Sequence, residues 1–555
     1  MMQTVQVLVA VVAVLAATLA YKFFDTIYSC WRNSRLLHSY PGPSYSFFLG
    51  VIPQFAGKTP ITRVMQAWAD QYGPIYHMRL LTAHILVVSD PRVATEVLHM
   101  PKIMDKNRQA LVTLDTLTSR HGELPNLVTN STNDDYWKAI RKGVAPAFSP
   151  TNIRKGFAHV VSTTDRLLAL LEQGRSDAPL DMDNLLLRQS LDVIGLVGFE
   201  QDMGATSSLD SNSQASNCLA ITVPAMLEVE RRFGDPFRAR KFWRKDVRQG
   251  QQNVWRYQDM VRGLLRRVQS GQPPAPHTLA AHLLGVKDPH TGGALSEDRL
   301  ASEIGIFFLA GFETTGHSGA WLLYLVSQHP QVEAKICQEL DEQGLLVTPQ
   351  RPHPRKVTYE DLSKLTYLDM AIKESMRLFP VVGSGTTRRN LERDMWIGGG
   401  KLFVPKGVLV WVPMHAVQNV AANWDEPDQF QPERWSQPGA QYSQKPGLFP
   451  PSQPLLQQQQ QGGVEGDGKQ VDDLGLDLSK QGKRWFPFSD GPRNCVGQAL
   501  AKMNMATTLA QLYSHYSFRL AEEMGGPAGV MAAEHVMLTV SPSKGMKMHV
   551  IPRKT

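Results

Sequence analysis

Cysteine is scarce in this chain: four residues in 555, Cys30, Cys218, Cys337 and Cys495, no two of them near each other in sequence. That excludes a dense disulfide framework and a CxxC metal knuckle, and it fits a reducing, cytosol-facing body. Neither a Lys/Arg run nor a basic–aromatic stripe occurs, which removes nucleic acid from the partner classes. No internal repeat is visible. With 42% hydrophobic and 20% charged residues, the chain is too apolar to be disordered and too polar to cross a membrane many times. Its length allows three or four domains of roughly 150 residues, or one large one. Lys plus Arg at 58 against Asp plus Glu at 51 leaves +7, an excess suited to an anionic membrane surface or an acidic partner.

One long apolar run is present. From Val5 to Ala20 the chain is almost wholly apolar, and Tyr21, Phe23 and Phe24 extend the run past Lys22, which can snorkel to an interface. Residues 1–24 therefore read as one short transmembrane anchor. A cleaved signal peptide is the alternative, because Thr18-Leu19-Ala20 resembles a small-residue cleavage site, although no positive segment precedes the run. Lys22, Arg32 and Arg35 all follow the run, so the positive-inside rule puts the body in the cytosol; a processed signal would put it in a lumen. Residues 25–44 read as a linker, with Pro41-Gly42-Pro43 either a stiff hinge or an ordinary connection. The remainder, 45–555, reads as one catalytic body.

Within that body, strands are expected at Ile75–Met78 and Ile85–Val88, the second closed by Ser89-Asp90-Pro91, which also starts a helix. Most of the rest is helical. Ser296-Glu297-Asp298 caps a long helix with acids in its first turn, where the dipole favours them. Thr358 and Asp361 form a capping-box pair leading into Leu365, Leu368, Ile372 and Met376 at helical spacing. Residues 436–482, with Pro, Gly and the Gln457–Gln461 tract, read as a surface insertion.

The chemistry-bearing segment is Phe488-Ser489-Asp490-Gly491-Pro492-Arg493-Asn494-Cys495-Val496-Gly497, an irregular loop running into the helical stretch Gln498–Met503. Cys495 thus sits at a helix N-terminus, where the dipole and unpaired N–H groups favour thiolate over thiol. A thiolate can ligate iron, and the flanking glycines permit close approach of a large flat ligand. A single cysteine in isolation is more often a small buried hydrophobe. Taken as a frame, Phe-x-x-Gly-x-Arg-x-Cys-x-Gly resembles the haem-binding signature of the cytochrome P450 family, and the resemblance covers roughly residues 41 to 555.

That resemblance implies a mainly α fold with a small β-rich region, the cytochrome P450 fold, behind one N-terminal transmembrane helix. It implies haem b as cofactor, with Cys495 as the axial iron ligand, Phe488 and Gly497 beside it, and Arg493 meeting a propionate. Ala310-Gly311-Phe312-Glu313-Thr314-Thr315 matches the family's oxygen-activation motif, so Glu313 and Thr314 are implied to deliver protons. From the residues alone, Thr314 can bond back to a carbonyl in the preceding turn, and Ile304, Phe307, Phe308 and Gly311 share a helical face. A glycine mid-helix costs about 1 kcal/mol relative to alanine and asks for a reason, such as a ligand pressed against the backbone. The plain alternative is an exposed acid beside a Thr pair.

Glu374 and Arg377 lie three apart on a helix, which alone describes a surface ion pair worth about 0–1 kcal/mol. The resemblance makes them, with Arg434, the family's buried Glu-Arg-Arg network. Trp137 and Arg141, four apart, point the same way from one helix and match the family's Trp-x-x-x-Arg propionate donors. Arg388 falls at another propionate-binding position; the spacing leaves Arg389 as its rival. The segment 105–125 with Phe307, Phe308, Val381 and Val382 is expected to line the pocket. The implied activity is monooxygenation of an apolar small molecule, of lipid, sterol or terpenoid class. Electrons would come from NADPH through NADPH-cytochrome P450 reductase, with cytochrome b5 a further partner, at the endoplasmic reticulum membrane. Two alternatives stand beside it: a peroxide isomerase or dehydratase on the same fold, and a non-catalytic haem-binding protein.

Overall fold

The computed structural model describes residues 2–57, 59–101, 103–120, 122, 124–174, 178–207, 214–235, 237–400, 402–442, 482–536 and 538–554; the side chains of 2–13, 15, 19, 109, 110 and 214–217 also fall outside the description. The insertion expected at 436–482 lies almost entirely outside the described residues. Two compact units are present, one of residues 1–105, 385–425 and 443–484, the other of 106–384, 426–442 and 485–555.

The first unit is built on a five-stranded sheet in the order Ile75–Leu80, Ala83–Val88, Leu409–Val412, Thr386–Asn390, Met104–Lys106. The first two strands pair antiparallel from Ile75 opposite Val88 to Leu80 opposite Ala83, closed by a tight turn in which Leu81 adopts φ 53°. Each is two residues longer than the run expected from the sequence. Asp90 then caps the helix Pro91–His99, accepting from the backbone of Arg92 and Val93 at 2.9 and 3.0 Å. Pro41-Gly42-Pro43 is docked onto this sheet: the His77 amide donates to the Pro41 carbonyl at 2.8 Å, and a Cβ on Gly42 would lie 1.9 Å from the His77 carbonyl oxygen. Only glycine allows that approach, so the segment takes part in the packing of this sheet. The N-terminal run lies in the helix Met2–Leu37. Among the described residues, no helix is long and apolar enough to cross a membrane.

The second unit is helical. Its centre is the helix Glu297–Ser327, capped by the Ser296 hydroxyl and buried over most of its length. The helices Met182–Val193, Lys245–Ser270, Thr366–Leu378 and Gln498–His515 pack around it. A three-stranded sheet of Leu180–Asp181, Lys547–Pro552 and Tyr516–Leu520 completes the unit with smaller strands. The capping box at Thr358 and Asp361 forms, but it caps the 3-10 turn Tyr359–Ser363, and the α-helix begins afresh at Thr366. Arg355 clamps the Asp361 carboxylate at 2.6 and 2.8 Å, which ties the box to its own loop.

Candidate active site

The loop before Gln498 doubles back on itself. Ser489 and Gly491 adopt φ 58° and 67°, the Asn494 amide closes on Gly491 at 3.0 Å, and the Cys495 amide returns to the Phe488 carbonyl at 2.9 Å. Gly497 caps the helix Gln498–His515, and its N–H donates to the Cys495 sulfur. From the helix Asp135–Val144, Arg141 holds this loop by donating to the Asn494 carbonyl at 3.0 Å and to its side-chain oxygen at 2.6 Å.

These contacts give Cys495 a divided environment. Burial pushes the thiol up, while the Gly497 N–H and the Arg141 guanidinium pull it down. Burial is the larger influence, since desolvation of a sulfur anion outweighs one N–H and one cation. Cys495 is nevertheless exposed as a residue. A bound metal cation would reverse the ionisation, since coordination deprotonates a thiol outright.

Three predicted residues converge near this loop. Trp137 is buried in the core, and the Arg493 guanidinium lies 4.6 Å from its ring centroid. Arg493 also donates to the carbonyls of Leu127 and Val128 at 3.3 and 3.1 Å. Phe488 is half-buried. Arg388 belongs to the first unit, where it is 1% exposed and donates to the Thr386 hydroxyl at 2.8 Å. Burial lowers its pKa to about 10, opposed by Asp105. Arg389, by contrast, is only half-buried.

On the central helix, Ala310 is exposed and Gly311 and Thr314 partly so, in a stretch otherwise buried. The Thr314 hydroxyl donates back to the Ala310 carbonyl at 2.8 Å. Glu313 is 7% exposed and accepts from the Thr539 hydroxyl at 2.6 Å. Burial raises its pKa, with His317 and Thr539 opposing, so it is not the exposed acid of the plain alternative. Gly311 requires a correction. A Cβ there would lie 2.6 Å from Ile194 Cγ1, on the π-helical turn Ile194–Gly198. The missing side chain makes room for a neighbouring helix rather than a ligand. The apolar face is likewise core: Ile304 and Phe308 are buried, Phe308 against Phe312, while Phe307 stacks on Phe148 with centroids 6.2 Å apart.

Glu374 and Arg377 are fully buried, not the surface pair that spacing alone describes. Arg377 reaches both Glu374 oxygens at 2.9 and 3.0 Å, Arg434 donates to Glu374 Oε1 at 3.1 Å, and Arg377 also bonds the Gln429 carbonyl at 3.1 Å. Sequence reasoning missed Trp435, whose indole N–H donates to Glu374 Oε2 at 3.0 Å. It also missed His317, set between Glu313 and Asp183. The helical spacing of Glu313 and His317, four apart, was the available signal.

The donor set fits a haem: one exposed cysteine, with Arg141, Arg493 and Trp137 gathered at the loop that carries it, as two buried carboxylates would require. Among the described residues, no group of three or more His, Cys, Asp or Glu is placed to hold a bare metal ion. Comparison with known proteins agrees. The family model for cytochrome P450 matches residues 40–544. Rattus norvegicus cytochrome P450 3A9 is 25% identical over 502 residues, covering 87% of this chain and 86% of that protein. Oryctolagus cuniculus cytochrome P450 3A6 is 24% identical over 504 residues, covering 88% and 87%.

Proposed function

This chain belongs to the cytochrome P450 family and is a haem monooxygenase, and we propose that it inserts one oxygen atom of O2 into an apolar small molecule of lipid, sterol or terpenoid class. Electrons from NADPH reach it through NADPH-cytochrome P450 reductase, with cytochrome b5 as a second donor, while the N-terminal helix anchors it to the endoplasmic reticulum with its body in the cytosol. The apolar run before Lys22 and the positive residues after it support that placement.

Haem b, held by Cys495, supplies the activation of O2 and the oxidising power. The protein's own residues do the rest. Arg141 fixes the loop through Asn494 so that the sulfur keeps its direction. Gly497 N–H tempers the charge on that sulfur, Arg493 and Arg388 are the cations for the propionates, and Phe488 and Trp137 exclude water from their side of the site. Glu313, whose pKa burial raises, serves as the proton-carrying acid, and Thr314 passes protons at its hydroxyl. Glu374, Arg377 and Arg434 have a structural part: they pin the segment following Gln429.

The observation carrying this reading is the exposed Cys495 on a loop that Arg141 holds in place. Reduction of the purified protein under carbon monoxide should give the long-wavelength Soret band of thiolate-ligated haem. Cys495→Ala should abolish it. An unchanged band in that variant would end the proposal.

A further inference from the structure

Glu313 does not stand alone in the core. One helical turn on, His317 Nε2 lies 3.9 Å from Glu313 Oε1, while its Nδ1 meets Asp183 Oδ1 at 2.7 Å. Glu313, His317 and Asp183 are all buried. Asp183 stands in the first turn of the helix Met182–Val193, just beyond Asp181, which caps that helix and is partly exposed. A line of titratable groups therefore runs from a partly exposed carboxylate to the acid beside Thr314. Buried imidazole is costly to charge, so its placement between two carboxylates needs a use or a compensation.

From this geometry we infer that His317, oriented by Asp183, is a positioning residue that loads Glu313 with the proton used in oxygen activation. The inference rests on the monooxygenase reading above and extends it to two residues outside the acid–Thr pair. In the loaded state the imidazolium has N–H bonds at both nitrogens. The Nε2–H bond breaks and an O–H bond forms at Glu313 Oε1, leaving neutral imidazole with Nδ1–H still donated to Asp183. One water, or a small rotation of the carboxylate, closes the 3.9 Å gap. A solvent proton restores the imidazolium between turnovers.

The surrounding charges suit this task. Burial works against the imidazolium, but Asp183, Glu313 and Asp181 together outweigh it and raise the His317 pKa. Glu313 faces His317 and Thr539, feels Asp183, and acts in turn on Tyr257 from the helix Lys245–Ser270. Without the imidazolium, nothing cationic among these groups would oppose the burial of Glu313.

The test uses full-length haem-loaded protein and two readouts. The first needs no turnover: infrared titration of the protonated-carboxyl stretch in the resting enzyme, assigned to Glu313 by its loss in Glu313→Gln. In His317→Gln the pH at which that band disappears should move upward. The second is coupling. His317→Gln should release several-fold more hydrogen peroxide per NADPH consumed, with a larger solvent isotope effect and unchanged substrate-induced spectra. A Glu313 band and a coupling ratio both unmoved in His317→Gln would overturn the inference; if that variant fails to fold, the same null result in His317→Asn does so. A shifted band in a protein that oxidises nothing would uphold the Glu313–His317 link while sinking the monooxygenase reading beneath it.

Discussion

Replacing Gly311 with alanine separates two explanations for a glycine in the middle of a buried helix. In an open helix the change is favourable by about 1 kcal/mol, because alanine loses less backbone freedom on folding. Here the new methyl would lie 2.6, 2.8 and 3.1 Å from Cγ1, Cδ1 and Cβ of Ile194, closer than carbon atoms pack. Overfilling a packed core costs about 1–3 kcal/mol, so the net loss should be about 0–2 kcal/mol. Gly263 supplies the internal control: its nearest neighbour would be the tip of Arg267 at 3.9 Å, so Gly263→Ala should raise stability by up to ~1 kcal/mol. Ile194→Ala alone should cost about 2–5 kcal/mol by opening a cavity. Combined with Gly311→Ala, the pair should lose less than the sum of the single changes, by roughly 1–3 kcal/mol, since the methyl refills the space. Denaturant midpoints of the four proteins, at equal haem content, measure this. Strict additivity, together with a Gly311→Ala protein that is fully stable yet altered in its ligand-binding spectrum, would refute the packing argument.

Glu303 is fully buried, with Leu127 N–H on one oxygen at 3.0 Å, and burial pushes its pKa from 4.5 up to about 8. The folded state therefore holds a proton that the unfolded chain releases, and stability should fall as pH rises from about 4.5 to about 8, by at most ~1.4 kcal/mol per pH unit. Glu303→Gln should flatten that decline; denaturant midpoints at pH 5 and pH 8 that run parallel in both proteins would contradict it. Removing Arg377 strands a buried carboxylate and should cost about 3–5 kcal/mol. Trp435→Phe keeps an aromatic side chain but deletes the indole N–H on Glu374, and should cost about 1.5–3 kcal/mol. Wild-type unfolding in Trp435→Phe would place that indole outside the network.

Much of this arrangement was legible because its signals are short-range. The Asp90 and Ser296 caps, the paired strands after Pro74, and the frame around Cys495 each depend on neighbours within a few residues. So does the pairing of Glu374 with Arg377 on one helical turn. The capping box at Thr358 was read correctly as a motif but assigned to the wrong element, because nothing local distinguishes a 3-10 turn that stops from a helix that continues.

By itself, the sequence determined the local motifs: one cysteine on a tight glycine-bearing loop, an acid–Thr pair on a long helix, and a Glu-x-x-Arg turn. Tertiary structure alone decided their environments. Arg141 meets Asn494 across 353 positions, His317 meets Asp183 across 134, and Trp435 reaches Glu374 across 61. Gly311 serves Ile194, and burial overrides the helix terminus at Cys495. The physical reason is common to all of these. Periodicity and caps are set by bonds within one turn, whereas desolvation and close packing depend on every atom the folded chain brings near, however distant in sequence.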